Sequence, residues 1–528
     1  MRRAGMRRVL AADHDQLLLL APSVEDWIGP EHPARFIREF VAALDLRALG
    51  LDNLERSEGG TAYDPALLLE AWLFGYLRKI HSTRALERAC REEMGFVWLT
   101  GNHRPDHNSL WRFWREHRGG IRRLFRQSVK VALEMDLVGL AVQALDGTKI
   151  AAASSGRGGF DRAQLEKLLA QLDEQVLEQE RHIAAAGEGA STEPLQPLVH
   201  LREQVRAALA RVQSGEAKHA HPLEPDAARM ECDGRNRFGY NAQAVVDTKA
   251  QIVVASEVTN AASDMQQLVP MIAAAQSNCE GSENEETSPP TTLADGGYAS
   301  GAQLMKAERC GYPVVTPPPP NWHDTSNPYH TAHFRHDAAR QVVICPQGRE
   351  LVRKGVRQKD GREVEIYRNR AACKDCPVRA RCTSERGGRS IYIAADHAAV
   401  VAAHQRWHHP QTAEFYGLRA STVEPVFGQV KQQMGFRRWT VRGLENVRTQ
   451  WSLLMTTWNL RVLLRHWRGA APGGAELGSR PRPTPSPRAG GAVLAAAAGC
   501  GRRLRDYFSH LCPPDILRLN FVRYAGVN

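Results

Sequence analysis

The chain has no apolar stretch approaching the roughly 20 residues that a bilayer-spanning helix needs. Its short run Leu17–Leu20, preceded by Asp13 and Asp15, is too brief for a signal-peptide core. Membrane insertion is thereby set aside, and a cytoplasmic protein is expected. Cysteine is scarce too: ten in 528 residues cannot supply a disulfide scaffold, and the clustering of four of them suggests metal instead. Acids are in deficit, 58 against 69 lysines and arginines, a net charge of +11, which favours a polyanionic partner. The composition, 43% hydrophobic and 24% charged, is that of a soluble globular protein. The length exceeds the roughly 250–300 residues of one core, so several domains are expected.

The deficit of acids is sharpest between Leu418 and Arg468. Nine basic residues (Arg419, Lys431, Arg437, Arg438, Arg442, Arg448, Arg461, Arg465 and Arg468) stand there against Glu424 and Glu445 alone. Such a segment suits nucleic acid, with the basic groups on phosphates and a lone carboxylate holding a cation beside them. Ser421 and Thr422 read as helix-start residues, with Pro425 in the first turn and Phe427, Val430 and Met434 on one apolar face. Glu424 also has a plainer reading, a capping-box partner for Ser421. Pro425 disfavours that reading by pushing the residue before it away from helical angles. Local evidence leaves both open.

In chain order, residues 1–15 form a basic tail that reads as disordered, and 16–135 a helical domain. Asp64-Pro65, Ser82 and Asp106 open three of its helices. Short helices of this kind build DNA readers and ordinary bundles alike; the tryptophans read as core. Residues 136–468 form an α/β domain. Leu137–Leu145 is predicted as a strand turning at Asp146-Gly147, followed by strands at Tyr240–Asp247, Gln251–Thr259, Thr291–Ala294 and Tyr312–Thr316. Two insertions interrupt it. Residues 155–232 carry a helical hairpin with coiled-coil-like spacing, able to dimerise or to pack on itself. Residues 321–400 carry Cys345, Cys373, Cys376 and Cys382. The C-x₂-C pair with two further thiols could close a structural Zn²⁺ tetrahedron, with His404, His408 or His409 as possible substitutes, or could be buried thiols. Residues 469–528 are a linker and a tail without a usable pattern.

Asp146 and Asp295 each end a predicted strand and precede glycine. Asp-Gly is a common turn without chemistry. Strand-end carboxylates are nonetheless where open sheets collect ligands, and Mg²⁺ prefers such oxygen donors. A third acid from a helix would complete a two-metal clamp for phosphodiester displacement.

These segments carry a resemblance. Leu145-Asp-Gly-Thr-Lys-Ile150, Gly239-Tyr-Asn-Ala-Gln-Ala-Val-Val-Asp247, Ala294-Asp-Gly-Gly-Tyr298 and Val423-Glu-Pro-Val-Phe-Gly-Gln-Val-Lys431 resemble the motifs of DDE-type insertion-sequence transposases. The helical region Tyr63–Phe113 and the Cys-bearing insertion resemble the same group. The resemblance spans about Gln16 to Trp467. It implies an RNase H-like α/β core, a mixed five-stranded sheet with flanking helices, joined to an all-α N-terminal domain and the two insertions. It implies a catalytic triad of Asp146, Asp295 and Glu424 holding two Mg²⁺ or Mn²⁺ ions. Arg419, Lys431, Arg437 and Arg438 would bind phosphates. Four residues separate Arg419 from Glu424 where the common signature has three. The implied activity is cleavage at terminal inverted repeats of double-stranded DNA and strand transfer into target DNA, by a homodimer or larger assembly. Two other readings are a catalytically inactive, zinc-containing regulatory relic, and a metal-dependent nuclease that does not join strands.

Overall fold

Capping residues fix the first helices. In a computed structural model, which describes residues 23–52, 62–154, 159–186, 191, 195–280, 289–319, 322, 325–359, 362–410 and 412–469, α1 spans Pro33–Ala42. Helix α2 (Pro65–Leu77) starts where the Asp64 carboxylate accepts from Ala66 N and Pro65 fills the first turn. Ser82 caps α3 (Thr83–Glu92), α4 (Met94–Leu99) follows, and Asp106 caps α5 (His107–Glu116). Helix α6 (Arg118–Glu134) completes the set. Trp72 and Trp114 are buried 4.8 Å apart, whereas Trp111 is exposed, against the expectation that the tryptophans are all core.

Strand β1 runs Val142–Ala151, about five residues later than the sequence predicts. Asp146 therefore lies inside a strand, and Asp146-Gly147 is no turn. Pairing along nine positions with β3 (Arg235–Asp247) carries the polar stretch Gly147-Thr-Lys149 through as strand. The helical hairpin follows β1 as α7 (Arg162–Ala186) and α8 (Leu195–Gln213), and it packs on itself through Leu165, Leu172, Val205, Ala208 and Leu209. The break expected at Gly187–Pro194 lies mostly outside the described residues, as do the basic N-terminal tail and the C-terminal tail.

Strand β2 (Ala228–Cys232) belongs to the main sheet rather than to the insertion, so that sheet has six strands instead of five. The missed signal is Asp233-Gly234, both at positive φ, a two-residue hairpin turn between Cys232 and Arg235. Strand β4 (Val253–Thr259) also pairs antiparallel with β3, while β5 (Thr291–Ala294) runs parallel to β1 and β6 (Val314–Val315) parallel to β5. Helices α9 (Leu268–Cys279) and α10 (Gly301–Arg309) make the crossovers.

The second insertion folds as its own antiparallel sheet: β7 (Arg335–Asp337), β8 (Val342–Ile344), β9 (Glu350–Lys359), β10 (Arg362–Arg368) and β11 (Ser390–Ala394), in sequential order. The short helices α11 (Arg370–Lys374) and α12 (Arg379–Cys382) lie between β10 and β11. Its core is Phe334, Val343, Leu351, Tyr367, Ile391 and Ile393, with Cys345, Cys373 and Cys382 packed against it.

Three helices close the described chain: α13 (His397–Trp407), α14 (Thr412–Gln432) and α15 (Leu444–Gly469). Buried Asn459 on α15 accepts from Val253 N and donates to Val253 O, both at 2.9 Å, and donates to Ser128 on α6 at 3.1 Å. The side-chain amide thus serves as one more rung on the edge of β4. Around α15 one apolar core runs continuously from the N-terminal helices to the main sheet.

Candidate active site

The parallel register of β1 and β5 pairs Leu145 with Ala294, which sets Asp146 and Asp295 side by side. Asp295, just past β5 as the sequence predicts, accepts from Gly297 N at 2.7 Å. Asp146 accepts from Gly147 N at 2.8 Å. From α14, Arg419 places Nη2 2.9 Å from Asp146 Oδ2 and 3.8 Å from Asp295 Oδ2, bridging the pair. Tyr416, one turn earlier, donates its hydroxyl to Ala294 O at 3.2 Å and ties α14 to the end of β5. Burial pushes the Asp146 carboxyl from 3.8 up to about 6. The Arg419 guanidinium and Gly147 N–H pull it down, while Asp295 and Asp264 push it further up.

The helix bearing Glu424 differs from expectation. Helix α14 begins at Thr412 and carries Pro425 in its interior. Ser421 and Thr422 do not cap it; their hydroxyls donate back to Leu418 O at 3.0 and 2.7 Å. Pro425 has no N–H for Ser421 O, and the Gln251 side chain supplies the missing donor at 3.0 Å. This tertiary substitute lets the helix pass through proline. Glu424 is exposed on α14, roughly 7.5 Å along the axis from Arg419 at 1.5 Å per residue. Asp146 and Asp295 are thus brought together; Glu424 makes no hydrogen bond or ion pair among the described residues.

The basic candidates are largely engaged by the protein. Besides Arg419, Lys431 Nζ lies 2.9 Å from Asp233, and Arg438 donates to the carbonyls of Ala152, Ala153 and Ser154 at the end of β1. Arg437 is 56% exposed, 3.6 Å from Asp233.

Cys345, Cys373, Cys376 and Cys382 line one pocket of about 30 Å³ and are free thiols. Burial pushes the Cys382 thiol up; Arg389 opposes this, and Cys373, Cys345 and Cys376 add to the rise. Among the described residues, no histidine lines this pocket. His404 and His408 pack on one another, and His404 on Trp322. Among the described residues, no three His, Cys, Asp or Glu side chains stand as a ready metal-holding group.

The sequence reading missed a buried amide network behind the aspartates. Gln243 donates to Asn241 Oδ1 at 2.9 Å and to Asp264 Oδ1 at 2.7 Å, Asn241 donates to the same Asp264 oxygen at 2.7 Å, and the Tyr298 hydroxyl donates to Gln243. Its available signal was two amides, two residues apart and so on one face, in the otherwise apolar run Tyr240–Val246. The network explains Gly147: a Cβ there would lie 2.4 Å from Gln243 Nε2 and 3.0 Å from Asp264 Oδ1.

Two family descriptions match the chain. "Transposase DDE domain" covers residues 344–464 and includes Glu424, and "Transposase domain (DUF772)" covers residues 22–116, the helices α1 to α5. No curated protein matches. No helix among the described residues is long and apolar enough to cross a membrane. Transposase matches thus fall both on the N-terminal helices and on the segment that delivers Arg419 to the paired aspartates, and together they support an insertion-sequence DDE transposase.

Proposed function

We propose that this chain cuts DNA at the ends of an insertion sequence and joins the freed ends to target DNA, using an RNase H-like core. The observation that carries this reading is the pairing of Asp146 and Asp295 across parallel strands with a guanidinium between them. A cation already occupies the space between two carboxylates, one of them buried enough to need positive charge. The donor set, all oxygen, fits Mg²⁺ or Mn²⁺. The strand order β4-β3-β1-β5-β6, antiparallel then parallel, supports the fold assignment.

Asp146, Asp295 and Glu424 would hold two divalent ions, which supply Lewis-acid stabilisation and a lowered pKa for water or a DNA 3′-hydroxyl. Arg419, within reach of both aspartates, is placed to neutralise a phosphate oxygen beside them. Arg437 is the most available of the other basic groups for the flanking backbone, with Lys431 and Arg438 shaping the surface beneath it. The N-terminal helices would grip the terminal repeats, and two ends would require at least two copies of the chain. The four cysteines fit Zn²⁺ in kind and number, and the ion would brace the inserted sheet.

The test is cleavage of terminal-repeat DNA by Asp146→Asn, Asp295→Asn and Glu424→Gln. Each should abolish metal-dependent cutting and joining while DNA binding survives. Undiminished cutting by all three would refute the reading, and cutting without joining would leave a simple nuclease.

A further inference from the structure

The positive charge of the chain is concentrated in the inserted sheet. Residues 335–394 hold 15 lysines and arginines against seven aspartates and glutamates, a surplus of eight out of the whole chain's +11. Strand β10 sorts that charge by face. In Arg362-Glu-Val-Glu-Ile-Tyr-Arg368, Arg362, Val364, Ile366 and Arg368 project from one side, and Glu363, Glu365 and Tyr367 from the other. Cross-strand register adds Arg357, opposite Val364, and Tyr392, opposite Ile366, to the arginine side.

The two sides look in different directions. The acid-bearing side carries the inserted sheet's own core through Tyr367, Ile391 and Ile393, and Glu365 there pairs with Arg353 at 2.8 Å. On the arginine side, Arg362, Val364, Ser390, Tyr392 and Ala394 line one wall of a cleft of about 1040 Å³. The facing wall is the end of the main sheet: Lys149, three residues beyond Asp146 on β1, with Gly296 and Gly297, which follow Asp295. The cleft therefore opens beside the paired aspartates.

Charges inside the cleft are largely matched. Arg362 lies 3.2 Å from Asp396, Arg389 donates to Tyr329 O at 3.4 Å, Glu385 accepts from Ser390 Oγ at 3.1 Å, and Asp264 accepts from Asn241 and Gln243. Left over are Lys149 on one wall and Arg357 and Arg368 on the other, none with an ion pair among the described residues. Arg357 and Arg368 are exposed, and the Arg357 guanidinium lies 5.0 Å from the Tyr392 ring centre. Arg357 stands opposite Val364, four residues before Arg368. At 3.4 Å per residue that is about 14 Å along the sheet, the rise of about four nucleotides on one DNA strand.

We propose that the arginine face of the inserted sheet, with Lys149 across from it, binds the phosphate backbone of the element-end DNA beside the bond that is cut. This rests on the transposase reading above and adds a second DNA-binding wall, outside the helix that carries Arg419 and Lys431. Contacts to phosphate position the strand over the aspartates and read no bases.

Binding of the full chain to terminal-repeat duplex, titrated with salt, tests it. The triple substitution Lys149→Gln, Arg357→Gln and Arg368→Gln should make log K against log salt shallower by about 0.9 per contact, about 2.7 in all, and should slow cutting of that DNA. Arg353→Gln, on the opposite side of the same sheet, should leave the slope unchanged. A second measurement needs no variant: the duplex should protect Arg357 and Arg368 of unsubstituted protein from phenylglyoxal. An unchanged slope in the triple variant, or no protection, would overturn the proposal and leave the aspartate reading standing. Cutting retained with joining alone lost would put target DNA on this face and overturn it as well. No binding of the duplex by unsubstituted protein would take the transposase reading down with it.

Discussion

Arg419 Nη2 stands 2.9 Å from Asp146 Oδ2, so the buried acid of the pair is neutralised by a side chain of the helix that also carries Glu424. The compensation is incomplete, because burial still leaves the Asp146 carboxyl at about 6. A carboxyl raised on folding stabilises the protein fully below its unfolded value, and that contribution is lost as pH rises through the folded one. Metal-free protein should therefore lose melting temperature between about pH 4 and pH 6 from this group. Asp146→Asn should flatten that part of the profile. Mn²⁺ should raise the melting temperature more at pH 8 than at pH 5. Parallel wild-type and Asp146→Asn curves in calorimetry would contradict this.

Glu70 in α2 is 8% exposed, and burial pushes its carboxyl up to about 8, with Arg38 opposing and Asp64 adding to the rise. The same sign applies. Stability of the N-terminal helices should decline from about pH 4.5 through pH 8, and Glu70→Gln should hold it level, each unit of displacement being about 1.4 kcal/mol. Hydrogen exchange of α2 amides at pH 6 and pH 9 would measure it.

Gly147→Ala should cost about 1–3 kcal/mol and cutting activity, because the new methyl meets Gln243 Nε2 and Asp264 Oδ1. Urea unfolding gives the first and terminal-repeat cleavage the second. Gly428→Ala, at an exposed position inside α14 where a Cβ meets nothing within 4 Å, is the contrast: it should raise stability by about 0.5–1 kcal/mol.

Asn459→Ala removes the partner of Val253 N–H and C=O and of Ser128 in a fully buried place. Stranding buried backbone groups costs about 1–3 kcal/mol each, so a loss of at least about 2 kcal/mol is expected in urea unfolding. Asn459→Asp, which would bury a carboxylate with one oxygen against Val253 O, should cost more than Asn459→Ala at neutral pH.

Strand β5 and Asp295 were legible from sequence because a short apolar run ended at Asp-Gly-Gly and nothing tertiary altered it. Asp146 is legible as a candidate, but its strand is not: Asp146-Gly147 reads as a turn until β3 pairs with it. The start of α14 was missed for a related reason. Proline rules are local, and the carbonyl that Pro425 leaves open is satisfied by Gln251, 170 residues away in sequence. Asp264 gave no local sign, since its hydrogen-bond partners are amides on another strand.

Helices α1 to α6 share their interior with α15 and the main sheet, with Thr440 bonded to His81 O and Gln450 to Tyr76. A duplex gripped by those helices would reach the aspartates at one set offset, as along a ruler. Adding or deleting base pairs between the recognised sequence and the element's end should then stop cutting rather than move the cut.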